Sequence, residues 1–178
     1  MTAIDLYNTQ DTSNQTLGPG FRWTVVLTPD EREAMQWIKR TTPPDALVQI
    51  EPNARSREMW AYIPAFAERR MVAGLPISMI PLHPYEVASA RVREVFLQKD
   101  PGKAYWEARD QGFDYLFVGS VERKAYPHLE PLLDTVPHWF RPVFRNPTVT
   151  IYHVACDVAN LNPSAPRALA SSACRAPD

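Results

Sequence analysis

Arg55 and Arg57 stand two residues apart in the polar stretch Glu51-Pro52-Asn53-Ala54-Arg55-Ser56-Arg57. Two guanidinium groups so placed can hold a phosphate or carboxylate through charge-assisted hydrogen bonds. His83 and Glu86 lie together in His83-Pro84-Tyr85-Glu86, and Gly119-Ser120-Val121-Glu122-Arg123 is followed by Tyr126. The Arg55 and Tyr126 groups each follow an apolar run that reads as a strand, and His83-Glu86 follows a third such run. In open α/β sheets, ligands bind beyond the carboxyl ends of strands. If these loops converge, Arg55, Arg57, His83, Glu86, Glu122, Arg123 and Tyr126 form a ligand site. The competing reading makes Glu86 and Glu122 helix caps, Glu51 a surface charge and the remainder solvated loop residues.

No catalytic signature accompanies them. The chain has no GxSxG, so no serine-nucleophile elbow, and neither GxxxxGK[ST], GxGxxG nor HExxH. His83, His128, His138 and His153 are far apart and carry no metal-ligand spacing. Glu51, Glu86 and Glu122 are the carboxylates that could pair for acid–base chemistry, but spacing cannot pair residues from separate loops. Neither a metal nor a cofactor is expected.

The elements that must position these groups read as follows. Trp23 to Leu27 is a short strand or extended entry. Thr28-Pro29-Asp30-Glu31 opens a helix, with Thr28 as cap, Pro29 at the first helical position and Glu31 completing a capping box. Ala34, Trp37 and Ile38 mark its buried face, and Pro43-Pro44 ends it. Residues 46–50 suit a buried strand, and 51–57 a loop at its carboxyl end. Met59 to Ala67 has helical spacing, with Pro64 delaying or kinking the helix, and Arg69-Arg70 suits a helix C-terminus. Residues 71–74 look like a second short strand, followed by helices from His83 and over 103–111. Residues 115–119 are the clearest strand, and 122–133 is helical but broken by prolines. Two strands around Asn146-Pro147 close the domain as a hairpin. Alternation of strand and helix predicts an α/β fold: a mixed, mainly parallel sheet with helices on both faces and a C-terminal antiparallel hairpin.

Residues 1–20 form a polar arm without periodicity and 157–178 a proline-broken tail, which leaves one domain over 21–156. A chain of 178 residues, 45% hydrophobic and 22% charged, supports one ordinary core. A formal charge of −1 supplies no general attraction to nucleic acid, which is not an expected partner. Cys156 and Cys174 have no partner at metal spacing and read as two incidental thiols. No window reaches the length of a membrane span and the first twenty residues do not resemble a secretory signal, so by itself the chain is expected to be soluble.

Several segments taken in order resemble one family. Glu33-Ala34-Met35-Gln36-Trp37-Ile38 followed by Thr42-Pro43-Pro44-Asp45-Ala46 is similar to the helix-turn-strand that opens the soluble C-terminal region of bacterial polytopic glycosyltransferase-like membrane proteins. Ile63 to Arg70 with Ala73-Gly74-Leu75-Pro76, Tyr115 to Gly119 with Val121-Glu122-Arg123 and Tyr126-Pro127, and Phe144-Arg145-Asn146 with Val149-Thr150-Ile151-Tyr152 resemble the segments that follow, so the resemblance covers residues 22–154. It implies an extracytoplasmic domain at the bacterial inner membrane that aids recognition of an acceptor or lipid carrier, the catalytic carboxylate lying in the membrane-embedded part. This chain departs from that pattern in having no membrane-spanning segments before the domain.

Three functions follow as expectations. The first is a non-catalytic accessory or recognition domain that binds a saccharide, a lipid-phosphate carrier or a membrane glycosyltransferase subunit. The second is a small hydrolase or transferase acting on a phosphorylated sugar, which needs two of Glu51, Glu86 and Glu122 in one pocket. The third is an interaction module that docks through Trp60, Trp106 and Trp139.

Overall fold

Thr28 turns the chain into the first helix of the described residues through a reciprocal cap. Its hydroxyl accepts from the Glu31 backbone N–H at 3.2 Å, and the Glu31 carboxylate accepts from the Thr28 N–H at 3.1 Å. Helix α1 (Pro29–Thr41) then buries Ala34 and Ile38, as the spacing predicts, together with Met35, while Trp37 is only half-buried. The computed structural model describes residues 27–55, 62–74 and 82–156. Of the expected strand or extended entry at 23–27 only Leu27 is described, and it is not in a strand; the arm over 1–20 and the tail from 157 lie outside the described residues.

The far end of α1 is capped from a distance. Arg69, buried on a later segment, donates to the Lys39 and Thr42 carbonyls, each at 2.7 Å, and to the Thr42 hydroxyl at 2.9 Å. A cation here satisfies carbonyls that a helix end leaves without partners. Arg69 also donates to the Ala67 and Glu68 carbonyls, so it joins the ends of α1 and of α2 (Tyr62–Ala67).

Strand β1 (Val48–Gln49) runs parallel to β2 (Tyr115–Val118). Strand β4 (Thr150–Val154) lies antiparallel on the other side of β2, and β3 (Phe140–Arg145) forms the far edge, giving the order β1-β2-β4-β3. The sheet is therefore mixed and the fold α/β, as the alternation of elements predicts, with one parallel pairing and two antiparallel ones. Pro142 is tolerated because β3 is an edge strand, and the pairing register shifts between Pro142 and Phe144. Asn146 builds the hairpin turn by accepting from the N–H groups of Thr148 and Val149 through its side chain.

Residues 71–74 correct an expectation, since they do not form a strand. The parallel bridge falls one residue earlier, between Leu47 and Arg70, and beyond it the Gln49 side chain stands in for a strand neighbour. Its carboxamide oxygen accepts from the Val72 N–H at 2.9 Å, and its nitrogen donates to the Ala73 carbonyl at 3.0 Å. One buried amide thus satisfies the backbone that would otherwise need a ladder.

The remaining helices are α3 (Leu82–Leu97), α4 (Pro101–Asp110), α5 (Ser120–Ala125) and α6 (Leu129–Asp134). The helical stretch expected over 122–133 is two helices, separated at Tyr126-Pro127-His128. Pro64, Pro84 and Pro131 are each the third residue of their helix, where a missing N–H leaves no helical bond unmade.

All four residues of β2 are buried, because successive side chains point to opposite faces and both faces are covered. Tyr115 and Phe117 pack with Ile151 against Met35 and Ile38 of α1 and Tyr62 and Ile63 of α2. Leu116 and Val118 pack with Tyr152 and Val154 against Val92 and Phe96 of α3, Ala104 and Ala108 of α4, and Leu129 and Leu133 of α6. Each large side chain so buried contributes about 1.5–3 kcal/mol. The cysteine expectation is also corrected, because Cys156 is disulfide-bonded rather than a free thiol. Its sulfur additionally accepts from Arg109. The chain's other cysteine, Cys174, lies outside the described residues. Among the described residues no helix is long and apolar enough to cross a membrane.

Candidate functional site

The carboxyl ends of β1 and β2 lie side by side, so the loop over 51–55 meets the Gly119 turn that opens α5. Arg55 joins them. Its guanidinium binds Glu122 bidentately, Nε to Oε1 at 2.7 Å and Nη2 to Oε2 at 2.8 Å. Its Nη1 binds Glu31 of α1 at 2.8 Å. The ring of Tyr62 lies 4.6 Å from the guanidinium carbon, so α2 closes the cluster with an aromatic face. Side-chain exposure is 1% for Arg55 and 0% for Glu122, which removes both from contact with a solvent-borne ligand.

The electrostatics match this enclosure. Burial acts to lower the Arg55 pKa, but Glu122 and Glu31 outweigh it and hold the guanidinium charged. Burial pushes the Tyr62 phenol well above its ordinary range, with Arg55 opposing and the Glu31 carboxylate adding to the rise. Glu122 also accepts from the Gly119 N–H at 2.9 Å, capping α5 as the residue spacing suggests. A side chain at Gly119 would not fit, because a Cβ there would stand 2.6 Å from Arg55 Nη2.

A second chain of contacts runs outward from the same strand end. Glu51, fully buried, accepts from the Asn53 N–H at 2.7 Å, from the Ala54 N–H, and from the Tyr126 hydroxyl at 3.0 Å. Arg93 of α3 donates to the Tyr126 oxygen at 3.2 Å. Burial raises the Tyr126 pKa and the Glu51 charge adds to this, with Arg93 opposing. The chain ends at a surface groove of about 220 Å³ between Asn53 and α3, with Glu86, Ser89, Arg93 and Glu94 in its lining.

The seven expected site residues therefore separate. Arg55 and Glu122 meet, inside the protein. Tyr126 and Glu86 approach one region, Tyr126 buried behind Arg93 and Glu86 exposed on the groove. His83 is exposed in the first turn of α3, and Arg57 lies outside the described residues. Arg123 faces elsewhere: it binds Glu130 at 2.6 and 3.0 Å, Thr150 at 3.1 Å and the Pro147 carbonyl at 2.8 Å. Sequence reasoning missed Ser89 and Arg93. Their signal was their four-residue spacing along α3, on a flank that adjoins the apolar face formed by Val92, Val95 and Phe96. Among the described residues no group of three His, Cys, Asp or Glu could hold a metal ion.

No family model matches the sequence, and no curated protein matches it. The fold is similar to that of the C-terminal globular domain of an oligosaccharyltransferase from Archaeoglobus fulgidus, with a TM-score of 0.51 and 12% identity over 74% of this chain and all of that domain.

Proposed function

We propose that this chain is a non-catalytic accessory or recognition domain of a glycosyltransferase-like membrane system at the extracytoplasmic face of a bacterial inner membrane. The observation that carries the reading is the fold shared with a globular domain of an oligosaccharyltransferase. At this identity the likeness is one of fold, and the accessory role is inferred from it. The partner would be a membrane glycosyltransferase subunit or a lipid-linked saccharide.

Two features of the site support the reading. Glu51 and Glu122 point inward, each saturated by hydrogen-bond donors, while Glu86 is on the surface. Such a division suits positioning of loops rather than paired acid–base chemistry, which needs two carboxylates facing one substrate. The disulfide at Cys156 supports an extracytoplasmic location, because disulfides persist in oxidising compartments.

The test is thermal stabilisation of the full chain by a polyprenyl-phosphate-linked saccharide, by the bare polyprenyl phosphate and by free saccharides. A ligand at one hundred times its dissociation constant adds about 2.7 kcal/mol of stability. Stabilisation by any of the three supports a recognition role. No shift with all three overturns recognition of a saccharide or lipid carrier and leaves a glycosyltransferase subunit as the partner.

A further inference from the structure

Tyr85, Ser89, Arg93 and Leu97 recur every fourth residue along α3, with Glu86 and Glu94 beside them. Residues at this spacing share one helix face, and this face forms one wall of the groove whose opposite lip is Asn53. Val92 and Phe96, three and seven residues on from Ser89, pack in the core beside this face, so the wall is held rigidly. Ser89 is the unusual member. It is 3% exposed, and its hydroxyl has no hydrogen-bond partner among the described residues. A buried hydroxyl left unpaired costs stability, and Ser89 lines the groove, where rotation of its side chain can present the hydroxyl to a bound molecule.

We propose that the groove is a subsite for a single ring of a neutral or amino-sugar saccharide, an assignment that rests on the accessory-domain reading and names its ligand class. The volume of about 220 Å³ is below the roughly 300 Å³ at which drug-sized pockets begin, so one ring-sized unit fits. Charge selects the class. Glu86 and Glu94 place two carboxylates against the single guanidinium of Arg93, so a phosphate or uronate meets net repulsion. Sugar hydroxyls and ammonium groups, by contrast, find acceptors in the carboxylates. Arg93 is already oriented by Tyr126, which Glu51 anchors in turn, so its guanidinium offers a positioned donor to a ring or hydroxyl oxygen. The half-buried ring of Tyr85 and the side chain of Leu97, 42% exposed, give apolar surface for the C–H face of the ring.

Saturation-transfer NMR on the full chain, with maltotriose and a chitosan trisaccharide as probes and glucose 1-phosphate as the anionic comparison, tests this. Ser89→Ala removes the unpaired hydroxyl, so it raises the melting temperature of the free protein by roughly 2–4 °C while weakening trisaccharide binding roughly 3- to 10-fold. A role confined to packing would move the melting temperature and leave binding unchanged. Glu86→Gln, at an exposed position, leaves the melting temperature alone and weakens the chitosan trisaccharide more than maltotriose. Trisaccharide binding that is indifferent to both substitutions overturns the groove assignment and leaves the accessory-domain reading standing. Absence of binding to both trisaccharides, or tighter binding of glucose 1-phosphate, overturns the proposal. Stabilisation by bare polyprenyl phosphate alone in the thermal experiment would likewise remove the groove proposal without removing the accessory role.

Discussion

Arg55 binds two carboxylates from two different helices with 1% of its side chain exposed, and that fact governs what its loss would do. Removing one member of a buried ion cluster leaves charge without compensation, at a cost of about 3–5 kcal/mol. Arg55→Ala is therefore expected to shift urea unfolding by that amount, whatever ligand is present. A loss below about 1 kcal/mol would show that the cluster is not the joint between the strand ends. Glu31 adds a pH dependence. Burial raises its pKa, but the hydrogen bond and charge of Arg55 and the Thr28 N–H outweigh this and hold it below the ordinary 4.5. A carboxyl with a depressed folded pKa contributes stability that is present above the unfolded pKa and lost as pH falls through the folded value. Unfolding free energy is thus expected to decline below about pH 4.5, and Glu31→Gln to flatten that decline while lowering stability at neutral pH. An equally steep acid limb in the variant would assign the loss to other carboxylates.

At the scale of elements, the edge of β1 is closed by a side chain rather than by a strand. Gln49→Leu preserves approximate size and burial but leaves the N–H of Val72 and the N–H and carbonyl of Ala73 without the amide. Each orphaned group that water does not reach costs about 1–3 kcal/mol. Hydrogen exchange at Val72 is expected to accelerate well beyond any change in β2, since the defect is local. Uniform acceleration across the sheet would mean that Gln49 supports the whole core instead. The same contacts explain why residues 71–74 imitate a strand in sequence. They are apolar enough for one, yet the backbone bends at Val72 and Ala73 and pairing ends at Arg70, where the glutamine amide takes over.

For the whole molecule, the disulfide and the domain limits are the properties to measure. Cys156 sits just after β4, so its bond is tied to the last strand of the sheet. Reduction is expected to lower the melting temperature, as loss of a native disulfide costs small secreted domains about 2–5 kcal/mol. Thiol titration of the unreduced, unfolded chain should find no free thiol. Two free thiols there would remove the argument for an oxidising compartment. We propose that residues 21–156 form the folded unit, and limited proteolysis that leaves this span intact is the expected result.

The helices were legible because their signals are local. A cap at Thr28, a proline at the first position and an apolar stripe at i, i+3 and i+4 all act within two turns. Strand β2 was legible for a related reason, since a short run of uninterrupted apolar residues has to be covered on both faces. The site was legible only in outline. Its location at the strand ends follows from the α/β class, and Glu86 and Tyr126 do lie near the groove. Whether a charged residue faces ligand or core depends on partners far away in the chain. Arg55 and Glu122 are 67 residues apart, and Arg55 and Glu31 are 24, distances at which spacing carries no information. Sequence alone determined the α/β class, the start of α1 and the near-neutral charge, because these depend on neighbours along the chain. Only the tertiary structure decided that the most basic loop residue is an internal joint and that the open surface is a mildly acidic groove on α3, because burial and pairing are properties of elements brought together in space.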